Sequence, residues 1–277
     1  MIGRYWSRCS RVHTIAGRDF AVDAEVPTTP LLDRSPKTGP ETTDCCCGVR
    51  RCGGGVLNSD GSDHEDLPIP KGGVTDMSYS TVLSTRMSDV NTFAAAFNDW
   101  GRDRVLSQGA NAVAMSQTMM GGDRAGEVNF SFQWDSIDAA MEGLVSLNND
   151  SEIMNLYGRC GVTPLRRSLG RSIVERGTTD GKYVSMLMIR SDATDDATAT
   201  ANTDVSWRNL SAASNGCRWG QVVAGGEFTG MHFMVNWTDS LDLFMIAAAA
   251  NFADPAVQKI MSDHNLHLAA RSLSRRL

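Results

Sequence analysis

The chain has 277 residues, is 42% apolar and 21% charged, and carries a formal charge of −6. That acidic balance excludes the basic field of a nucleic-acid binder. No apolar run approaches the ~18 residues of a membrane-spanning helix; the most apolar stretch, residues 243–252, is about half that long.

Residues 1–76 hold six of the eight prolines and five of the seven cysteines, without sustained period-2 or period-3.6 patterning. Such a segment cannot bury enough apolar surface to offset its ordering entropy. It reads as a disordered leader or as an extension added by a mis-assigned start codon. The first 18 residues carry four arginines and no acid, as an organelle transit peptide does, which would imply import. Against this, the excess of arginine over lysine fits a GC-rich coding sequence, in which false upstream extensions run long, and a purine-rich run can be back-translated before Met77. The cluster Cys45, Cys46, Cys47 and Cys52, with His64 beyond, lacks the paired spacing of a zinc site, so no metal is expected there. Cys160 and Cys217 form no disulfide framework, and a cytoplasmic location is the default.

From Met77 the pattern becomes regular. "YSTVLSTR" (79–86) is a β-rich run. Val90, Phe93, Phe97 and Trp100 then recur at helical spacing. "NAVAMSQTMM" (111–120) and "EVNFSFQW" (127–134) flank "GGDRAG", whose glycines mark a hairpin. No Gly-Lys-Ser/Thr follows them, which rules out a phosphate-binding P-loop. The second strand places Val128, Phe130, Phe132 and Trp134 on one face, expected to meet helices. Asp135 is expected to cap the next helix, with Ile137, Met141 and Leu144 as its buried face. A second helical piece leads to "RSLGR" (167–171), a closing strand.

The same order then repeats. Residues 121–173 and 225–277 align without a gap at an offset of 104, identical at 12 of 53 positions, which is a duplication rather than a solenoid. "YVSMLMIR", "CRWGQVVA", "GGEFTG", "MHFMVNW" and "DSLDLFMIAAAA" are the second set of elements, Asp239 is the matching cap, Leu241, Met245 and Ala248 are the matching helix face, and "RSLSR" (271–275) closes the chain. "MHFMVNW" is apolar on both faces, so the halves have diverged. Arg167, Leu169 and Arg171, like Arg271, Leu273 and Arg275, share one face, expected to lie at a seam between two sheets.

Each copy reads β-α-β-β-α-β, the ferredoxin-like order. The fold class is therefore α+β: two tandem ferredoxin-like units, 77–180 and 181–277, packed sheet to sheet. On this element order and duplication, the chain resembles the dimeric α/β barrel superfamily, with both units of the barrel expected within one chain. Its members include monooxygenases, haem-degrading enzymes, chlorite dismutases, lactone isomerases and proteins without a known reaction. The resemblance implies a small-molecule ligand between the sheet and helices of one unit, with no reaction specified. It also leaves open self-association of the pseudo-dimer, and a non-catalytic role in assembly.

Histidines in the folded part occur only in the second copy. His232, in a strand, is a candidate general base; half-burial in a strand is the bland reading. Trp219 and Trp237 are candidate cavity residues, with core packing as the alternative. Arg167 and Arg271 are candidates to hold an anion, against ordinary ion pairs. No cofactor is called for by the residues themselves. Similarity to chlorite dismutases, tandem chains with haem held by a histidine of the second copy, implies His264 or His267 as an axial ligand.

Overall fold

The computed structural model describes residues 78–277; the readings made for residues 1–76, including the cysteine cluster, lie outside the described residues. The first half comprises β1 (Ser78–Arg86), α1 (Val90–Ala96), a π-helical turn (Phe97–Gly101), α2 (Arg102–Leu106), β2 (Ala112–Met120), β3 (Val128–Trp134), α3 (Ile137–Asn149), α4 (Ser151–Arg159) and β4 (Thr163–Gly177). The second comprises β5 (Tyr183–Arg190), α5 (Asp196–Leu210), β6 (Gly216–Ala224), β7 (His232–Thr238), α6 (Leu241–Ala253), α7 (Pro255–Asp263) and β8 (His267–Arg276). Among the described residues no helix is long and apolar enough to cross a membrane.

The eight strands form one closed barrel in the order β1-β3-β2-β8-β5-β7-β6-β4. The two four-stranded sheets are the walls of this one barrel, a closure that the expectation of sheet-to-sheet packing did not specify. The sheets join edge to edge, β2 to β8 (Ser116 opposite Arg276 to Met120 opposite Leu273) and β4 to β6 (Leu169 opposite Ala224 to Gly177 opposite Gly216). Closure leaves no sheet edge bare. It also explains the 15-residue length of β4, which pairs with β1 and then continues alongside β6.

The two hairpins form as the glycines predict. Gly122 and Gly126 adopt φ of 62° and 87°, and Gly226 and Gly230 of 61° and 85°. These left-handed conformations are open to glycine without steric cost.

Outside the barrel, Val128, Phe130, Phe132 and Trp134 are buried against helices, as their alternation predicts. The inner face of the first half is polar. Ser84 donates to Asn129 Oδ1 (2.7 Å), and Asn129 Nδ2 donates to Thr118 Oγ1 (3.0 Å). In the second half the inner face is apolar: Met188, Val222, Met231 and Phe233 cluster together. Phe233 needs two glycines beneath it, since a Cβ at Gly220 would lie 2.4 Å from its ring and one at Gly170 2.8 Å away.

Three local expectations are corrected. The caps of α3 and α6 are Ser136 and Ser240, whose hydroxyls accept from the N–H of Ala139 and Leu243. Asp135 and Asp239 instead accept from Asn111 and Asn215, tying each helix start to the strand before it. The buried face of α3 is Ala140, Gly143, Leu144 and Leu147, with Ile137 and Met141 exposed, because Gly143 must sit against the fully buried Trp134 ring. In α6 the buried residues are Phe244, Ala248 and Asn251, while Met245 is exposed and Leu241 half-buried.

The repeated "RSL-R" strands do not face a seam. Leu169 lies opposite Thr81, Arg167 opposite Leu83 and Arg271 opposite Leu187, all on the helix-covered side. Leu169 is buried and Leu273 half-buried.

Candidate ligand site in the second half

Each half has a space between its sheet and its helices, and the two spaces differ in what fills them. In the first half, Phe93 and Phe97 descend from the helical layer onto Phe130, ring centroids 5.3 Å and 5.9 Å apart. Phe132 and Leu147 complete the packing. In the second half, α5 presents Ala199 and Thr203 to the corresponding place. At the 104-residue offset, Asn236 stands for Phe132 and Asn251 for Leu147. Large apolar groups are replaced by small or polar ones, and a cavity opens. Its volume is about 70 Å³, against about 30 Å³ in the first half.

The floor and roof of this cavity are apolar: Leu187 and Met234 from the sheet, Phe244, Ala248 and Val257 from α6 and α7. Polar groups lie among them. Thr203 Oγ1 donates to the Ala199 carbonyl (2.8 Å) and Asn251 Oδ1 accepts from Asn209 (3.1 Å), so both are satisfied within the protein. Two others are not. Trp219 Nε1 and Asn236 Oδ1 are buried without a hydrogen-bond partner, and Asn236 is 1% exposed. A buried polar atom left unpaired costs about 1–3 kcal/mol.

Arg271 lines the same cavity, half-buried. Its guanidinium lies 5.8 Å over the Phe252 ring and 3.3 Å from Met245 Sδ. Among the described residues no carboxylate is within ion-pair reach of it, and burial pulls its pKa below the ordinary arginine value. Arg167, its counterpart, is an exposed residue at the first-half space. It forms no ion pair among the described residues, unlike Arg171, which grips Asp196 through two hydrogen bonds of 2.6 and 2.8 Å.

The histidines separate. His232 is 4% exposed, hydrogen-bonded through Nδ1 to Ser191 Oγ (2.8 Å) and stacked on Trp219 (5.3 Å, 20° between planes). His264 caps α7 and borders the cavity. His267 is exposed and bonded to Asn265 (2.7 Å). Trp237 is corrected as a cavity residue: it points to the opposite side of β7, into the barrel, where the Arg218 guanidinium lies 5.3 Å over its ring. The sequence reading missed Asn236, whose place opposite a phenylalanine in the other copy was the available signal.

Burial, with a smaller contribution from the Arg171 charge, pushes the His232 imidazole below its ordinary 6.5, so the neutral form is favoured in the folded state. The unfolded chain then binds more protons than the folded one once pH falls below about 6.5, and stability decreases as pH drops through that window. His232→Val, which installs the residue of the first half, is expected to flatten this decline between pH 7 and pH 5 in urea unfolding. An unchanged slope would assign the decline to other groups.

A haem does not fit these residues. His264 borders the cavity, but a porphyrin face would leave Trp219 Nε1 and Asn236 Oδ1 unpaired, and the space is small for a macrocycle. Among the described residues no three histidine, cysteine or acidic side chains cluster to hold a metal.

No protein-family model matches this sequence, and no curated protein matches it. Among solved structures, an arginine-to-alanine variant of chlorite dismutase from Candidatus Nitrospira defluvii is similar at 13% identity and a TM-score of 0.47, over 72% of this chain and 91% of that one. An anthrone oxidase-like protein is similar at 10% identity and a TM-score of 0.40, over 72% and 91%. A protein of Fusobacterium nucleatum described as a candidate monooxygenase is similar at 6% identity and a TM-score of 0.46, over 73% and 93%. The strand order itself defines the class: two βαββαβ units closing one eight-stranded ring are a dimeric α/β barrel, here within a single chain.

Proposed function

We propose that this protein binds a small organic molecule in the second-half cavity, and that the first half is its structural counterpart, with the equivalent space filled by its own side chains. The observation that carries this reading is the pair of unpartnered buried atoms, Trp219 Nε1 and Asn236 Oδ1, in two residues that line the space from which the aromatic filling has been removed. A ligand would supply the missing partners. His232, held by Ser191 and stacked against Trp219, fixes the indole rather than serving as a general base, so no reaction is assigned.

The test is native mass spectrometry of the purified chain beside Thr203→Phe, which restores a first-half side chain. A bound small molecule in the wild type and its loss in Thr203→Phe, with folding retained, is the expected result. A ligand retained by Thr203→Phe would place the site elsewhere. A visible absorption band typical of haem, abolished by His264→Ala, would replace this reading with the haem one.

A second reading, a pseudo-dimer serving assembly, draws on α6, which is apolar on its outer face as well: Leu243 is 59% and Ile246 69% exposed. A helix apolar all round is usually a buried one. Light scattering showing a concentration-dependent oligomer, with no ligand found in the cavity, would favour it.

A further inference from the structure

The ligand-facing groups of the cavity lie in a particular order across the sheet. Trp219 of β6 is opposite Met234 of β7, Met234 is opposite Leu187 of β5, and Leu187 is opposite Arg271 of β8. These four form one row on the helix-covered face. With neighbouring strands 4.7–4.9 Å apart, the row spans roughly 14 Å between its end Cα atoms. Asn236 sits two residues along β7 from Met234, diagonal to Trp219. The floor therefore runs from a hydrogen-bonding end, across two apolar side chains, to a cation.

From this order we infer that the ligand is an apolar, ring-sized hydroxy acid, with its hydroxyl between Trp219 and Asn236 and its carboxylate at Arg271. This rests on the cavity being the binding site proposed above and specifies what enters it.

The chemistry of each end selects the group. An indole N–H only donates. The Asn236 oxygen, the atom left without a partner, only accepts. One group that both accepts and donates satisfies the pair, and a hydroxyl is the smallest such group. A carbonyl would serve Trp219 alone and leave the Asn236 oxygen unpaired. At the other end, Arg271 is half-buried with only a thioether and an aromatic ring beside it. A guanidinium withdrawn from water without a carboxylate is completed by an anion, and a planar carboxylate matches its fork. Between the ends, Leu187 and Met234 below and Phe244 above offer no hydrogen bonds, so the body of the ligand must be apolar. The Trp219 and Arg271 side chains occupy part of the row, so the body between them is shorter than the row, and a fused two-ring body is the size the probes take.

Three probes divide the claim: 6-hydroxy-2-naphthoate, 2-naphthoate without the hydroxyl, and 2-naphthol without the carboxylate. Calorimetric titration of the full chain should give the tightest binding for the hydroxy acid, by about tenfold or more over either of the others, as expected for losing a charge-assisted or buried hydrogen bond. Arg271→Met should remove its advantage over 2-naphthol. Asn236→Leu should remove its advantage over 2-naphthoate. Equal affinity of all three for the wild type overturns the assignment without recourse to any variant, as does failure of all three to bind. The broader reading fails differently: if the probes bind Thr203→Phe as well as wild type, the site is not this cavity. If a co-purified ligand is lost from Thr203→Phe while the probes show no preference, the cavity stands and the ligand class is wrong.

Discussion

Arg166→Ala is expected to destabilise the protein by about 1–3 kcal/mol, the cost of leaving a buried carboxylate without its donor; the arginine side chain itself is 36% exposed. Glu127, at the entry to β3, is 3% exposed, and Arg166 of β4 holds both of its carboxylate oxygens. Removing the arginine strands a carboxylate that water cannot easily reach. Arg124 is nearby, but its guanidinium is stacked 4.7 Å from the Phe228 ring. The duplicated half contains its own control. At the same offset, Met231 and Ala270 replace the pair, and Met231 is buried in the apolar interior cluster. The double variant Glu127→Met/Arg166→Ala should therefore recover most of the loss, since replacing both hydrogen-bond partners by apolar groups is often near neutral. Urea unfolding of both single variants and the double one measures the coupling. Single losses that simply add in the double variant would mean the two side chains do not interact in the folded state.

Phe97→Ala is expected to cost about 3–5 kcal/mol, the range for a buried aromatic truncated in a packed core. Its ring is 3% exposed, meets Phe130 edge-on and carries the Arg102 guanidinium 5.3 Å from its centre. Thr203→Ala, at the matching place in the second half, should cost no more than about 1 kcal/mol. Its hydroxyl only bonds back to the carbonyl one turn earlier, and the residue lines the cavity. Denaturant unfolding of the two variants compares the halves directly. A Thr203→Ala loss as large as that of Phe97→Ala would show the second half to be as tightly filled as the first.

Much of the architecture was legible because it is written locally. The alternation in β3 places four apolar side chains on one face whatever the strand pairs with. The glycines of the two hairpins mark backbone that other residues adopt only under strain. The duplication, read as a constant offset, gives the element order twice and so the ferredoxin-like units. The helix stripes were less legible. Ile137, Met141 and Leu144 are correctly spaced for a buried face, yet only Leu144 of the three is buried, beside Ala140, Gly143 and Leu147, because a glycine admits the Trp134 ring and a larger residue would hold the helix away.

Local patterning thus accounts for the repeated order of elements and for which strand face of the first copy is apolar. Tertiary structure alone decided that the sheets join through β2–β8 and β4–β6, that the "RSL-R" strands look outward, and that Trp219, Asn236 and Arg271 share a space while Trp237 turns away from it. The reason is the range of the interactions. Periodicity and glycine conformation act over a few residues, whereas barrel closure is a choice of hydrogen-bonding partner between strands far apart in the chain. A cavity depends on several elements at once: a Thr in α5 is unremarkable until it stands where Phe97 stands in the other half.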